Sequence, residues 1–475
     1  MQRREFLKSL GLCVAGAALP RVARSAQAEK RRPNFVIIFT DDQGYNDVGC
    51  FGSEKIRTPR LDRMAVEGRK FASFYAQTVC GPSRAALMTG CYPLRVAKKD
   101  NRVDIHPYLH SREITIAEIL KAAGYTTACF GKWDLAGHRQ KGYAPELLPT
   151  RQGFDYFFGT PTSNDSIVNL LRNEKVIENR ADMNTLTQRY TEEVVAFIRR
   201  SGEKPFFVYL PHTMPHTRLG VSAKFRGKSR RGLYGDVIEE LDWSAGRILD
   251  TIKELGLDED TYVIFTSDNG PWELRKAHGG SAKPLRGAKT STWEGGLRVP
   301  CIVRAPGRVP AGTTCDEIAT TMDLLPTLAK LAGGKVPDDR VIDGHDITAL
   351  LHGVKGAASP TRAFYYYQHT HLQAVRSGRW KLHLPRAAQP PWAPRWGGHI
   401  KKEDVIAIPK PMLFDLQADI GESRDVADKN PDVVRRLLAL AEQASNDIGD
   451  YDRIGKGARF HGPAPKRPDI GKWKE

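Results

Sequence analysis

Short apolar runs alternate with helix-period segments through the first two thirds of the chain. That pattern marks an α/β fold, in which helices cover a central, mostly parallel mixed sheet. Residues 35–39, 126–130, 206–210, 262–266 and 299–304 read as buried strands. Residues 60–67, 115–123, 187–198, 237–255 and 322–331 read as helices between them. Sheets of this kind collect ligands at the carboxyl ends of their strands. Asp41, Asp42, Lys132, His212 and Asp268 each stand within a few residues of such an end, a coincidence that packing alone rarely produces.

Near residue 355 the texture changes. Residues 363–368, 373–376, 380–383 and 411–416 read as short antiparallel strands, and a helix follows to Ala444 with Asn430 as N-cap and Pro431 at its first position. The expected division is a leader over 1–28, a catalytic domain over 29–355 and a small α+β domain with a tail over 356–475. The segment 385–411, rich in Pro, Trp and basic residues, reads as a surface excursion or a substrate-facing flap. No internal repeat is evident.

The formal charge is +17, yet the basic residues are scattered. A nucleic-acid binder would cluster them on one helix or tail among aromatics, so that class is set aside. General attraction to polyanions such as sulfated glycans fits better, and a solvated basic surface with no partner fits equally. The seven cysteines form no CxxC pair and no zinc-like Cys/His spacing, and most read as small buried apolar groups. Gln2-Arg3-Arg4-Glu5-Phe6-Leu7-Lys8, a short apolar stretch and Ser25-Ala26-Gln27-Ala28 read as a twin-arginine leader with a cleavage site. The stretch is too short for a permanent membrane anchor, and no other segment approaches spanning length. The expectation is a periplasmic or secreted protein carried by the twin-arginine translocase.

Two acidic pairs carry the next clue. Asp41-Asp42 closes one apolar run and Asp268-Asn269 closes another. All four are oxygen ligands, which favours Ca²⁺ or Mg²⁺ over zinc or copper. Between them lies Cys80-Gly81-Pro82-Ser83-Arg84, a Cys-x-Pro-x-Arg pentapeptide opening a helix. On these segments the chain closely resembles, from about residue 33 to 430, the type I formylglycine-dependent sulfatases of the alkaline-phosphatase-like superfamily.

The resemblance implies that a formylglycine-generating enzyme or radical maturase converts Cys80 to formylglycine, whose hydrate is the nucleophile. It points to Ca²⁺, with Mg²⁺ second, held by Asp41, Asp42, Asp268, Asn269 and residue 80. Arg84 would steady the diol or the metal ligands. Lys132, in Phe130-Gly131-Lys132-Trp133, and Lys289, in Leu285-Arg286-Gly287-Ala288-Lys289, match family positions that grip sulfate. His216 matches the histidine that binds sulfate and protonates the leaving oxygen, a role suited to an imidazole. His212 either joins it or orients a neighbour. Ser163 resembles a serine lining the site, and His278 and His371 sit where related enzymes contact the leaving group.

One departure stands out. The family reads Gly-Lys-Trp-His-Leu-Gly, and that histidine is proposed to deprotonate the diol; here Asp134 takes its place, with His138 four residues on. Either could act as base. The expected activity is hydrolysis of sulfate monoesters, on a carbohydrate. The alternatives are a phosphomonoester or phosphonate hydrolase of the same superfamily, and a sulfated-glycan binding protein without turnover. Loops 100–114, 164–184 and 385–411 would choose the substrate.

Overall fold

The computed structural model describes residues 31–96, 109–138, 142–165, 167–388 and 404–459. The leader 1–28, part of loop 100–114, most of loop 385–411 and the end of the tail lie outside the described residues.

The strands of the large sheet are β1 (Asn34–Thr40), β2 (Arg69–Tyr75), β3 (Thr126–Lys132), β4 (Tyr156–Thr160), β5 (Leu170–Arg172), β6 (Lys175–Glu178), β7 (Phe206–Pro211), β8 (Thr261–Ser267), β9 (Arg298–Arg304), β10 (Thr313–Cys315) and β11 (Ala319–Thr320). Their order is β10-β2-β9-β8-β1-β7-β3-β4-β5-β6, with β11 beside β2. The middle of the sheet, β8-β1-β7-β3-β4, is parallel, whereas β9 runs antiparallel to both β8 and β2. The expectation of a mostly parallel mixed sheet holds, and the run at 299–304 supplies one of the antiparallel exceptions.

Strand alternation divides the core cleanly. Val36 and Ile38 of β1 face one layer, formed by the apolar sides of α1 (Pro59–Glu67), α4 (Leu186–Arg200) and α5 (Leu233–Glu254). Phe35, Ile37 and Phe39 face the other, where α2 (Cys80–Thr89), α3 (Ile116–Ala122), α7 (Leu324–Ala332) and the single turn α8 (Thr348–Leu351) pack. The short α6 (Glu294–Leu297) leads into β9. Every residue of α2 is buried, so it is an interior helix rather than an amphipathic one. Its Pro82 lies in the first turn, where a missing N–H costs nothing, and Gly90 ends it in the left-handed conformation at φ 67°.

The second sheet, β12 (Phe364–Gln368), β13 (His371–Ser377), β14 (Trp380–His383) and β15 (Met412–Asp415), is antiparallel in sequence order. Helix α9 (Pro431–Asp447) lays Leu437, Ala441 and Ala444 into a cluster shared with Tyr75, Ala86, Leu297 and Met322 of the large sheet's surroundings. The apolar packing therefore runs on from one sheet to the other. Among the described residues no helix is long and apolar enough to cross a membrane, and no disulfide joins the cysteines.

Candidate active site

The ends of β1 and β8 lie side by side, with Thr40 paired to Ser267, which brings their acidic pairs together. The backbone N–H of Asp42 donates to Asp268 Oδ1 at 3.0 Å, and Asn269 Nδ2 donates to Asp42 Oδ1 at 2.7 Å. Arg84, one turn into α2, has no solvent exposure and ties three elements together. Its Nη1 reaches the Lys132 carbonyl at 2.6 Å, and its Nη2 reaches Asp41 Oδ2 at 3.1 Å and Asp268 Oδ2 at 2.8 Å. Lys132 Nζ meets Asp41 Oδ2 at 2.6 Å, and Lys289 Nζ meets Asp42 Oδ1 at 2.6 Å and Cys80 Sγ at 3.6 Å.

These pairings set the ionisation states. Burial would raise the Asp41 carboxyl, but Lys132, His216, Arg84 and Lys289 together hold it well below the usual range. Burial also works against Lys132, yet Asp41 keeps its ammonium charged. The Cys80 thiol is pushed far up by burial and then by Asp41, so an unmodified thiol here is protonated and a poor nucleophile.

Among the described residues, the buried oxygens Asp41 Oδ1, Asp42 Oδ2 and Asn269 Oδ1 have no hydrogen-bond donor. Such atoms are expensive to bury unless something else satisfies them. One ligand atom each from Asp41, Asp42, Cys80 and His216 lies within 4.8 Å of the others. The three oxygens of Asp41, Asp42 and Asn269 fit a hard divalent cation, whereas the Cys80 sulfur and the His216 nitrogen are softer donors. His216 enters this group, while Asp268 stands outside it with both carboxylate oxygens already engaged by Arg84 and the Asp42 N–H.

A second chain of groups runs outward. His216 Nε2 is 3.7 Å from Asp42 Oδ2 and 3.5 Å from Asp165 Oδ1, and burial followed by the Lys289 charge lowers its pKa, leaving the imidazole neutral. His138 bridges Asp134 Oδ1 at 3.2 Å and Asp165 Oδ2 at 2.8 Å. Burial opposes its protonation, but the two carboxylates win and lift it to about 9. Asp134 also lies 3.7 Å from Lys132 Nζ.

Three non-glycine residues around the site adopt positive φ: Asp42 at 63°, Asp134 at 53° and Thr290 at 72°. A β-branched residue there is a genuine outlier, and strain of this kind persists only where the surroundings impose it. Thr290 is fixed by its N–H to the Thr78 carbonyl and by Gln368 Nε2 on its own carbonyl, and it directly follows Lys289.

The remaining candidates are spread out. Ser163 donates its backbone N–H to the His138 carbonyl at 3.0 Å. His212 turns Nε2 toward Ser244 of α5 at 3.3 Å, and burial holds it at about 3, hence neutral. His371 bonds Gln373, whose Nε2 reaches Gln368, two links behind Thr290. His278 is exposed on the rim of an adjoining cleft. Sequence reasoning missed Asp165, which joins His138 to His216, and Trp272, whose ring lies 5.0 Å from Lys289 Nζ and 5.7 Å from the His216 ring. A polar tripeptide and a loop tryptophan carry no signal of that convergence.

The Sulfatase family model matches residues 33–334, and that of the C-terminal region of aryl-sulfatase matches residues 359–459. The N-acetylgalactosamine-6-sulfatase of Canis lupus familiaris is 37% identical over 408 residues, covering 80% of this chain and 74% of that protein. Steryl-sulfatase of Homo sapiens is 32% identical over 518 residues, covering 87% and 88% respectively. Among solved structures, the PsFucS1 sulfatase from Pseudoalteromonas sp. aligns with a TM-score of 0.76 at 27% identity, over 87% of this chain and 89% of that one. Since the first family model alone spans more than half the sequence and the relatives align along most of their lengths, this chain belongs to the sulfatase family and is a sulfatase.

Proposed function

We propose that this sulfatase acts on sulfate monoesters of carbohydrates, as an exported enzyme whose Cys80 has been converted to formylglycine and whose acidic pairs hold Ca²⁺. The observation that carries the reading is the meeting at Cys80. Lys289 Nζ stands 3.6 Å from its sulfur, and the donor atoms of Asp41, Asp42 and His216 crowd the same few ångströms. The carbohydrate is supported by the similarity to an N-acetylgalactosamine-6-sulfatase and by the basic surface. Export is supported by the Arg3-Arg4 leader.

Asp41, Asp42 and Asn269 would hold the cation, with Asp268 behind them; when bound, it would offset the negative charge of the sulfate and acidify a nearby hydroxyl. The hydrated aldehyde at position 80 offers two hydroxyls, one to accept the sulfuryl group and one whose deprotonation expels sulfate and restores the carbonyl. Lys132 and Lys289, both charged, grip the sulfate oxygens. His216 starts neutral, and an arriving sulfate anion would raise its pKa, so substrate binding prepares the imidazolium that the leaving oxygen needs. His138 already carries its proton at neutral pH, which leaves Asp134 as the acceptor of the diol proton.

Mass spectrometry of the peptide containing residue 80 tests the nucleophile. The expected product shows the mass loss of thiol-to-aldehyde conversion, and Cys80→Ser protein should take up one sulfuryl group and stop. Sustained multiple turnover by that variant would refute the role given to residue 80.

A further inference from the structure

A cleft of about 750 Å³ opens beside the site. Its lining includes Trp272 and Asp165, the residues that touch Lys289 and His216, so whatever leaves the sulfate has this space on its way out. Its lining also carries Arg218, Arg275, Lys276 and His278, all exposed. Among the described residues none of these four is in an ion pair. Among the described lining residues the one carboxylate, Asp165, is already taken by His138 and His216.

Arg275 is also held in place. The Arg275 guanidinium lies 3.7 Å from the Trp272 ring centroid, a stack that fixes its plane and leaves its N–H edge free of the ring. Lys276 adopts φ 52° and ψ −113°, an outlying backbone for a non-glycine residue, which marks the segment as imposed by its surroundings. A solvated basic patch needs neither feature. A cleft with net positive charge and a stacked guanidinium gains little from a neutral sterol or lipid leaving group, and much from an anion.

We infer that this cleft is a leaving-group subsite selecting saccharides with a second negative group, a further sulfate ester or a uronic carboxylate, beyond the sulfate being cleaved. The inference rests on the sulfatase reading of the adjoining site. Arg275 and Arg218 supply the charge-assisted hydrogen bonds, and Trp272 sets where the first sugar lies.

Calorimetry with Cys80→Ala protein, which cannot turn over, separates the two readings. Three disaccharides would be titrated: one with a single sulfate, one with a second sulfate on the neighbouring sugar, and one with a uronate there. The second anion should tighten binding at least tenfold, the size of one charge-assisted contact. Arg218→Gln/Arg275→Gln in the same background should abolish that gain. A gain with only one of the two anions assigns the subsite to that anion. Equal affinity for all three saccharides, or a gain that survives the double substitution, overturns the inference. In active enzyme the ratio of kcat/KM for the dianionic over the monoanionic substrate should fall at least tenfold on the same double substitution, and an unchanged ratio counts against it. If the enzyme turns over no sulfate ester, the functional reading fails, while the calorimetry still decides the cleft.

Discussion

His138 keeps its proton because Asp134 and Asp165 hold it from both sides. Its pKa rises from an ordinary 6.5 to about 9, so the paired imidazolium stabilises the fold fully below about pH 6.5 and that contribution disappears as pH climbs through 9. Denaturant unfolding of His138→Gln should therefore show a deficit of up to about 3 kcal/mol at pH 6 that closes by pH 10. A deficit that grows with pH would contradict the assignment. For Asp134 the expectation is kinetic: Asp134→Asn should slow sulfate release about 10²-fold or more while substrate affinity changes little. Equal losses in both would make Asp134 a binding group instead. Cys80, Lys132 and Lys289 were legible because each sits in a continuous segment of distinctive composition. Asp165 and Trp272 were not, because their importance arises only where separate loops converge.

At the level of elements, the parallel strands are readable from their apolar runs, and their carboxyl ends point to the site. Strands β2 and β4 escaped notice. Arg69-Lys70-Phe71-Ala72-Ser73-Phe74-Tyr75 has a register shift between Phe71 and Phe74 that breaks its alternation, and Gly159 interrupts β4. Gly159 is there for Gly131: a Cβ on either would come within 1.9 Å of a backbone oxygen, the Pro211 carbonyl for Gly131 and the Gly131 carbonyl for Gly159. Gly131 also holds φ 127° and immediately precedes Lys132, so the close approach of β3 to β7 sets where that ammonium points. Gly131→Ala should destabilise the protein by about 3 kcal/mol or more and depress activity further, by moving Lys132. A variant with a wild-type unfolding midpoint would show that the strands can part there without cost.

Across the whole molecule, the small sheet is fastened by charge as well as by apolar packing. Glu294 of α6 accepts from Tyr75 at 2.6 Å, Tyr366 at 2.7 Å and Lys381 at 3.1 Å, while Lys381 and His383 both reach Glu422 at 2.8 Å. Alternation along β14 would send Lys381 and His383 to solvent, yet both are fully buried, because their partners arrive from segments far away in sequence. The same long-range logic would govern the proposed cation. The proposed cation would take its oxygens from Asp41, Asp42 and Asn269, just beyond β1 and β8, so binding there would crosslink the sheet and should stabilise the native state by about 2.7 kcal/mol at a hundredfold excess over Kd. Adding Ca²⁺ to chelator-treated protein should raise the unfolding midpoint, more than Mg²⁺ does, and a midpoint indifferent to both ions would remove the cation from the site.

Helix α2 is interior along its whole length, and Cys80 and Arg84 keep almost no contact with solvent. If Cys80 is converted as proposed, the modifying enzyme would have to reach it before the chain closes, because the finished fold leaves no handle to grip. On that reading the thiol would be rewritten while the polypeptide is still slack. A molecule that folded ahead of that event would be sealed in its inert form, so the yield of working enzyme would be a race between two clocks.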